Sequence, residues 1–303
     1  MALYKISTNQ ELVLIKESPF KLEKEIQTLT EINLQQTFNL SFVKSEFALN
    51  KFRIDTLAFN SETSSFVIIE YKRDKSFSVI DQGYAYLSLM LNNKADFILE
   101  YNENCKTQLK REDVDWTQSK VIFISPSFTP YQKEAINFKD LPIELWEFKR
   151  YSNDTVGYSQ ISTSGSEESI KTISQDNSNI EQVTKEVKVY SESEHIEKTS
   201  EEIRELYEKF KTAVLNLGEF EIKPTKLYIG YIHNSHVLDV CILKGSLKIW
   251  LNLLSGQLDD PKGIARDVSN TGHWGNGDYE IQMKNDDDLE YILSLVKQSF
   301  KQN

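Results

Sequence analysis

The sequence predicts an α/β protein in two parts. An N-terminal αβββαβ core with further αβ additions comes first, and a linker and a small α+β C-terminal domain follow. Three observations carry that prediction. Apolar residues at helical spacing over 21–38 precede three extended stretches separated by short polar turns. Composition changes sharply after Tyr151: from there to Ser200 there is no Leu, Phe, Trp, Met or Ala, and 16 of 50 residues are Ser or Thr. A second helix-and-strand pattern then opens at Thr199-Ser-Glu-Glu202. At 303 residues the chain is long for one compact domain and comfortable for two.

Each element has its own warrant. Leu22, Ile26, Leu29, Ile32, Leu34 and Phe38 define an amphipathic helix over 21–38. Stretches 42–49, 52–59 and 66–72 alternate as strands, and Asn50-Lys51 and residues 60–65 turn the chain between them, so the three read as an antiparallel meander. A helix over 79–91 follows, then apolar strands at 95–101 and 121–125, a short helix near 131–138 and a strand at 143–150. The first domain is expected to close at residue 152, with a flexible linker over 153–182 too polar to offset its ordering entropy. Alternating Val183, Val187 and Val189 mark the return of structure, so the second domain is expected over 183–303. There the Thr199-Ser-Glu-Glu202 capping-box form leads into the stripe Ile203, Leu206, Tyr207, Phe210, Val214 and Leu217, and Gly218 ends the helix. Strands at 226–232, 237–243 and 247–253 and a terminal helix behind Asp286-Asp287-Asp288 complete it.

Composition narrows the function classes. Hydrophobic residues make up 39% and charged residues 27%, which excludes a wholly disordered chain. No run approaches a membrane span and residues 1–18 lack signal-peptide form, so no membrane partner is expected. Cys105 and Cys241 cannot build a disulfide framework, which points to a reducing cytoplasm. The net charge of −11 argues against a nucleic-acid partner only until it is divided by region. Residues 1–150 hold 19 basic and 21 acidic side chains and are nearly neutral, so a local basic surface remains open to them.

The most informative segment runs from Phe52-Arg-Ile-Asp55 to Glu70-Tyr-Lys72-Arg73. Strand alternation puts Glu70 and Lys72 on one face with Tyr71 opposite, and a hairpin brings Asp55 alongside. Taken alone, this pattern also describes an ordinary ion-pair ladder across two strands. The next helix adds Gln82 and Tyr86, four apart and therefore on one face. In this order, Asp55, Glu70-x-Lys72 and Gln82-x-x-x-Tyr86 resemble the PD-(D/E)XK nuclease superfamily, and within it the RecB-like branch that includes NucS-like predicted endonucleases. The likeness covers residues 20–105. Ile54-Asp55 stands where the nominal pattern has Pro-Asp, a change that leaves the carboxylate in place.

That resemblance implies an Mg²⁺- or Mn²⁺-dependent nuclease acting on DNA, with cutting at an end or internally left open. Phosphodiester cleavage needs a cation to offset phosphoryl charge and activate water, and Mg²⁺ takes hard oxygen ligands. Asp55 and Glu70 are the expected ligands, with the Tyr71 carbonyl between them as a further oxygen. Lys72 is expected to orient the nucleophile or stabilise the phosphate. Gln82 is expected to position the cluster or substrate, with Tyr86 behind it and counted among the groups near nucleic acid. The superfamily often adds an acid from its first helix; Glu31 is favoured over Glu25, and Glu46 on the preceding strand competes. Arg53, Arg73 and Lys75 are the expected phosphate contacts. No base-stacking platform is assignable.

The remaining motifs carry less. His233 and His236 form an HxxH without a third ligand at zinc spacing, and Asn234-Ser235 between them suits a hairpin turn. Gly272-His-Trp-Gly-Asn-Gly-Asp278 lacks the strand–GxxxxGK–helix context of a phosphate cradle. With Asp259-Asp-Pro-Lys-Gly263 and Arg266-Asp-Val268 it resembles a C-terminal domain of unknown function found on NucS-like predicted nucleases. Such a domain is expected to select substrate or bind a protein partner. A non-catalytic nucleic-acid-binding or assembly protein on the same fold is the alternative expectation.

Overall fold

In the computed structural model the chain divides into two compact units, Met1–Val189 and Tyr190–Asn303. It describes all residues except 1, 21, 74–77, 139, 162–167, 171–177 and 198.

The first unit opens with a hairpin of β1 (Leu3–Ile6) and β2 (Leu12–Ile15), followed by α1 (Glu23–Ile32) and α2 (Leu34–Phe38). Next come β3 (Ser41–Leu49), β4 (Phe52–Asn60) and β5 (Ser65–Tyr71), then α3 (Val79–Asn92) and α4 (Lys94–Cys105). β6 (Lys120–Ser125), α5 (Pro130–Ala135), β7 (Ile143–Arg150), β8 (Val156–Gln160) and α6 (Ser178–Glu186) complete it. The six strands β3 to β8 form one sheet in sequence order. β3–β4–β5 is the expected antiparallel meander, β5–β6–β7 is parallel, and β8 returns antiparallel on the edge. β5 and β6 lie inside this sheet and read as continuous apolar runs, as strands buried on both faces do. One apolar cluster packs α3, α4 and α6 against the sheet; a second, with Ile26, Leu34, Ile69 and Tyr71, packs α1 and α2 on the other side.

Four expectations change. The helix over 21–38 is two helices parted at Asn33, whose side chain bonds back to the Leu29 carbonyl. The strand expected at 95–101 is α4: Phe97 is fully buried and Leu99 is 58% exposed, with Ile98 and Tyr101 partly buried on the inner face. A short apolar run satisfies either period, and here the neighbours decided for the helix. The next sheet strand after α3 is therefore β6. Part of the expected linker is structured, since Val156–Gln160 pairs with β7 and buried Ile180 and Val183 lie in the main cluster. Val183 and Val187 are i, i+4 partners near the end of α6 rather than alternating strand residues.

The second unit comprises α7 (Glu192–Ile196), α8 (Glu201–Leu215), β9 (Glu221–Pro224), β10 (Ile229–Ile232), β11 (His236–Leu243) and β12 (Ser246–Leu251). β13 (Arg266–Asp267), β14 (Tyr279–Met283) and α9 (Leu289–Gln302) follow. Its sheet has the order β13-β14-β12-β11-β10-β9. Ser200 caps α8 through the Ile203 N–H, and the expected stripe Ile203, Leu206, Tyr207, Phe210 and Val214 is buried in a cluster made only of this unit's residues. In the loop before β14, Gly277 has φ +82° and its Cα hydrogen side faces the Leu251 carbonyl, where any side chain would collide.

Candidate active site

Glu70 is the feature that β5 does not need for folding. It is 3% exposed, the one acid in a strand whose other members are buried apolar or small residues. Burying a carboxylate is costly unless it is paired, and only one of its oxygens is well served. Glu70 Oε1 accepts from Lys72 Nζ at 2.7 Å and from Gln82 Nε2 at 3.0 Å. Glu70 Oε2 is buried with no hydrogen-bond partner among the described residues.

Backbone irregularity exposes Asp55 beside it. Ladder pairing of β4 with β5 runs from Asn60↔Ser65 to Thr56↔Ile69 and stops there. The Tyr71 N–H instead donates to Asp55 Oδ2 at 3.0 Å. On the other side, Glu46 interrupts the β3–β4 pairing between Ser45↔Thr56 and Phe47↔Ile54, with φ at +55°. A non-glycine residue in that left-handed region inside a strand is uncommon. Asp55 therefore sits where both ladders open. Burial, then the Glu70 charge, raises its pKa from the ordinary 3.8 to about 7, against the lowering effects of the Tyr71 N–H and Lys72.

α3 supplies the lid of the cluster. Ser78 caps it through the Asp81 N–H, which fixes the first turn and aims Gln82 at the sheet. Gln82 Nε2 also lies 3.1 Å from the Tyr86 hydroxyl, which donates to the Arg53 carbonyl at 3.4 Å. Asp55, Glu70, Lys72 and Gln82 are thus brought together as the spacing anticipated. Tyr86 is 5% exposed and its hydroxyl is occupied, so it supports Gln82 from behind and has no surface for nucleic acid.

Glu31 is placed differently from expectation. Its Oε1 accepts from Gln27 Nε2 at 2.9 Å and from Thr56 Oγ1 at 2.6 Å, and no hydrogen bond among the described residues joins it to the carboxylate pair. Thr56 also donates to the Tyr71 hydroxyl, on the sheet face opposite Glu70. Of the two competing acids, Glu46 is the one whose charge reaches Asp55. Glu46 is itself held charged by a hydrogen bond from Lys24 and by Arg53, whose Nε lies 2.9 Å away. The Arg73 N–H donates to Glu23 at 2.6 Å. Lys75 lies outside the described residues.

Gln27 escapes a sequence reading. It is 4% exposed, and its amide nitrogen reaches Glu31, Ser45 Oγ at 3.1 Å and the Asp55 carbonyl at 2.7 Å. The available signal was a polar residue next to Ile26 on the buried side of α1, with Thr30 also buried on that side. In the second unit, His233 faces the Glu219 carbonyl and His236 faces Asp239, so the two imidazoles serve different partners.

Fold and site together define a two-unit α/β protein with a buried glutamate beside a half-buried aspartate, a lysine and a glutamine at the open end of a β-meander. The chain belongs to the family of an uncharacterized Haemophilus influenzae protein, to which it is 52% identical over 296 residues, covering 97% of this chain and 98% of that one. Residues 192–303 match a domain of unknown function, DUF5655. Among solved structures the chain is similar to a repair endonuclease from Pyrococcus abyssi, at 16% identity and a TM-score of 0.23 over 40% of this chain and 45% of that one. It is also similar to EndoMS in a complex with double-stranded DNA, at 14% identity and 0.27 over 45% and 60%. Pyrococcus furiosus SfsA in complex with Ca²⁺ gives 14% and 0.26 over 54% and 76%. The chain thus spans less than two thirds of the length of the first two. Among the described residues no helix is long and apolar enough to cross a membrane.

Proposed function

We propose that the first unit is a metal-dependent deoxyribonuclease, hydrolysing phosphodiester bonds in bacterial DNA processing or defence in the cytoplasm. The observation that carries this reading is the half-satisfied Glu70 carboxylate: one oxygen held by Lys72 and Gln82, the other buried beside Asp55 and without a hydrogen-bond partner among the described residues. An orphaned buried carboxylate oxygen next to a second carboxylate is a donor set suited to a hard divalent cation, Mg²⁺ or Mn²⁺. Asp55 and Glu70 would hold it. When bound, such an ion neutralises phosphoryl charge and activates water.

The chain's own residues account for the rest. Lys72, anchored on Glu70 and partly exposed, carries a positive charge to the mouth of the site, where it stabilises a phosphate gaining negative charge. Gln82 fixes which Glu70 oxygen is occupied and leaves the other available. The Tyr71 N–H orients Asp55. Arg53 and Arg73 supply sequence-independent phosphate contacts, with Lys75 proposed alongside them. The second unit selects substrate or binds a protein partner.

The test incubates the full chain with labelled single-stranded, duplex and branched DNA, with Mg²⁺, Mn²⁺ or chelator, beside Asp55→Ala and Lys72→Ala. Metal-dependent cutting that falls by roughly 10²-fold or more in both variants is expected. Absence of both cutting and calorimetric metal binding in the wild type would sink the proposal and leave a non-catalytic binding protein.

A further inference from the structure

The hairpin of β1 and β2 forms a two-stranded sheet of its own, and one of its faces has the composition of a core. Directly paired residues share a face, so Tyr4 opposite Leu14 and Ile6 opposite Leu12 set four large apolar side chains side by side. Each of the four has between 50% and 69% of its surface in solvent. Single exposed apolar residues are ordinary on protein surfaces, but a whole apolar face is not. The hairpin is nonetheless firmly built. The Ser7 N–H donates to the Glu11 carbonyl at 2.9 Å, and Gln10 takes φ +63° to close the turn. At the root, the Ser18 N–H donates to the Arg150 carbonyl and the Ser152 N–H to the Lys16 carbonyl, both at 2.8 Å. Two short strands by themselves are marginal in water, so this face needs a cover.

The same unit holds an apolar recess of matching chemistry. An open groove of about 630 Å³ beside α1 is lined by Phe20, Leu22, Leu29, Ile32 and Val156 and by charged side chains of both signs. Leu22 is 60% exposed and Ile32 76%. No described residue of the hairpin lines this groove. One chain therefore presents an apolar projection and an apolar recess, neither filled by the other. A two-fold axis lets two copies fill both at once, which makes the surface self-complementary. The four hairpin residues with Leu22 and Ile32 expose roughly 700 Å² per copy, close to the ~800 Å² that each partner buries in a standard stable interface. We propose that two copies of this chain associate reciprocally, the apolar hairpin face of each seated in the α1 groove of the other. The proposal is independent of the nuclease reading.

The test is analytical ultracentrifugation of the full chain from low to high micromolar concentration. The wild type is expected to sediment as a dimer. Ile6→Asp on the hairpin and Ile32→Asp in the groove should each raise the dimer dissociation constant roughly 30-fold or more, because either variant puts a carboxylate into both apolar contacts. Leu99→Asp, exposed on α4 across the sheet from α1, should leave it unchanged. An equal mixture of Ile6→Asp and Ile32→Asp should dimerise more tightly than either variant alone, since the mixed pair keeps one hairpin–groove contact intact. Melting followed by circular dichroism separates a folding defect from lost association. A wild type that stays monomeric at every concentration, a dimer indifferent to both Asp variants, or a mixture no tighter than its components overturns the proposal. A monomer that floats with vesicles of anionic phospholipid gives the face to a membrane and overturns it equally.

Discussion

On the proposed nuclease reading, Asp55 and Glu70 are positions where function and stability oppose each other. Asp55 has a folded-state pKa near 7 against an ordinary 3.8, so folding favours its protonated form. Its contribution to stability is full below about pH 4 and is lost as pH rises through about 7. The melting temperature of the metal-free protein should therefore fall between pH 5 and about pH 8. Asp55→Asn should flatten that dependence and melt higher at the alkaline end, while losing cleavage. Divalent metal should reverse the trend, because ion and proton compete for the same carboxylate. Glu70→Gln offers a second check: removing a buried charge with an unpartnered oxygen should leave metal-free stability unchanged or raised while cleavage is lost. A mere ion-pair ladder predicts the opposite, because breaking a useful pair lowers the melting temperature. The pattern Asp55, Glu70, Lys72, Gln82 was legible from strand and helix periods because each member lies on a regular element. Gln27 was not, since its significance depends on what other elements bring to it.

Helix α3 sets the site's geometry, and Gly83 sets the helix. A Cβ on Gly83 would lie 2.4 Å from Ile143 Cδ1 on β7. Gly83→Val should destabilise by about 1–3 kcal/mol through overpacking. It should also weaken calorimetric metal affinity, because lifting α3 off the sheet withdraws the adjacent Gln82 from Glu70. Gly83→Ala should be milder, since the obstructing atom ends a flexible side chain and alanine favours helix. Helix α4 yields a different check, aimed at an element whose period the sequence reading misjudged. Phe97→Ala should cost about 3–5 kcal/mol, whereas Leu99→Glu should change stability by less than about 0.5 kcal/mol. A strand would have put Phe97 and Leu99 on one face and made both substitutions severe. Chemical denaturation of the two variants measures the difference.

Each of the two units carries an apolar cluster of its own residues, so residues 190–303 expressed alone should fold, with circular dichroism and a cooperative melt. A fragment ending at residue 160 should be unstable by contrast, because it omits Ile180 and Val183 from the first unit's main cluster. That second expectation follows from a segment whose composition alone reads as linker. Local sequence by itself determined the β-meander, helix α3 and the order of the polar residues around Glu70, because these depend on side-chain period and turn chemistry along a continuous stretch. Tertiary structure alone decided that 94–105 is helix, that 156–160 joins the sheet, that Glu31 turns to Thr56 and that one Glu70 oxygen has no partner among the described residues. Those outcomes are set by contacts between residues far apart in the chain, and no window of sequence contains both partners of such a contact.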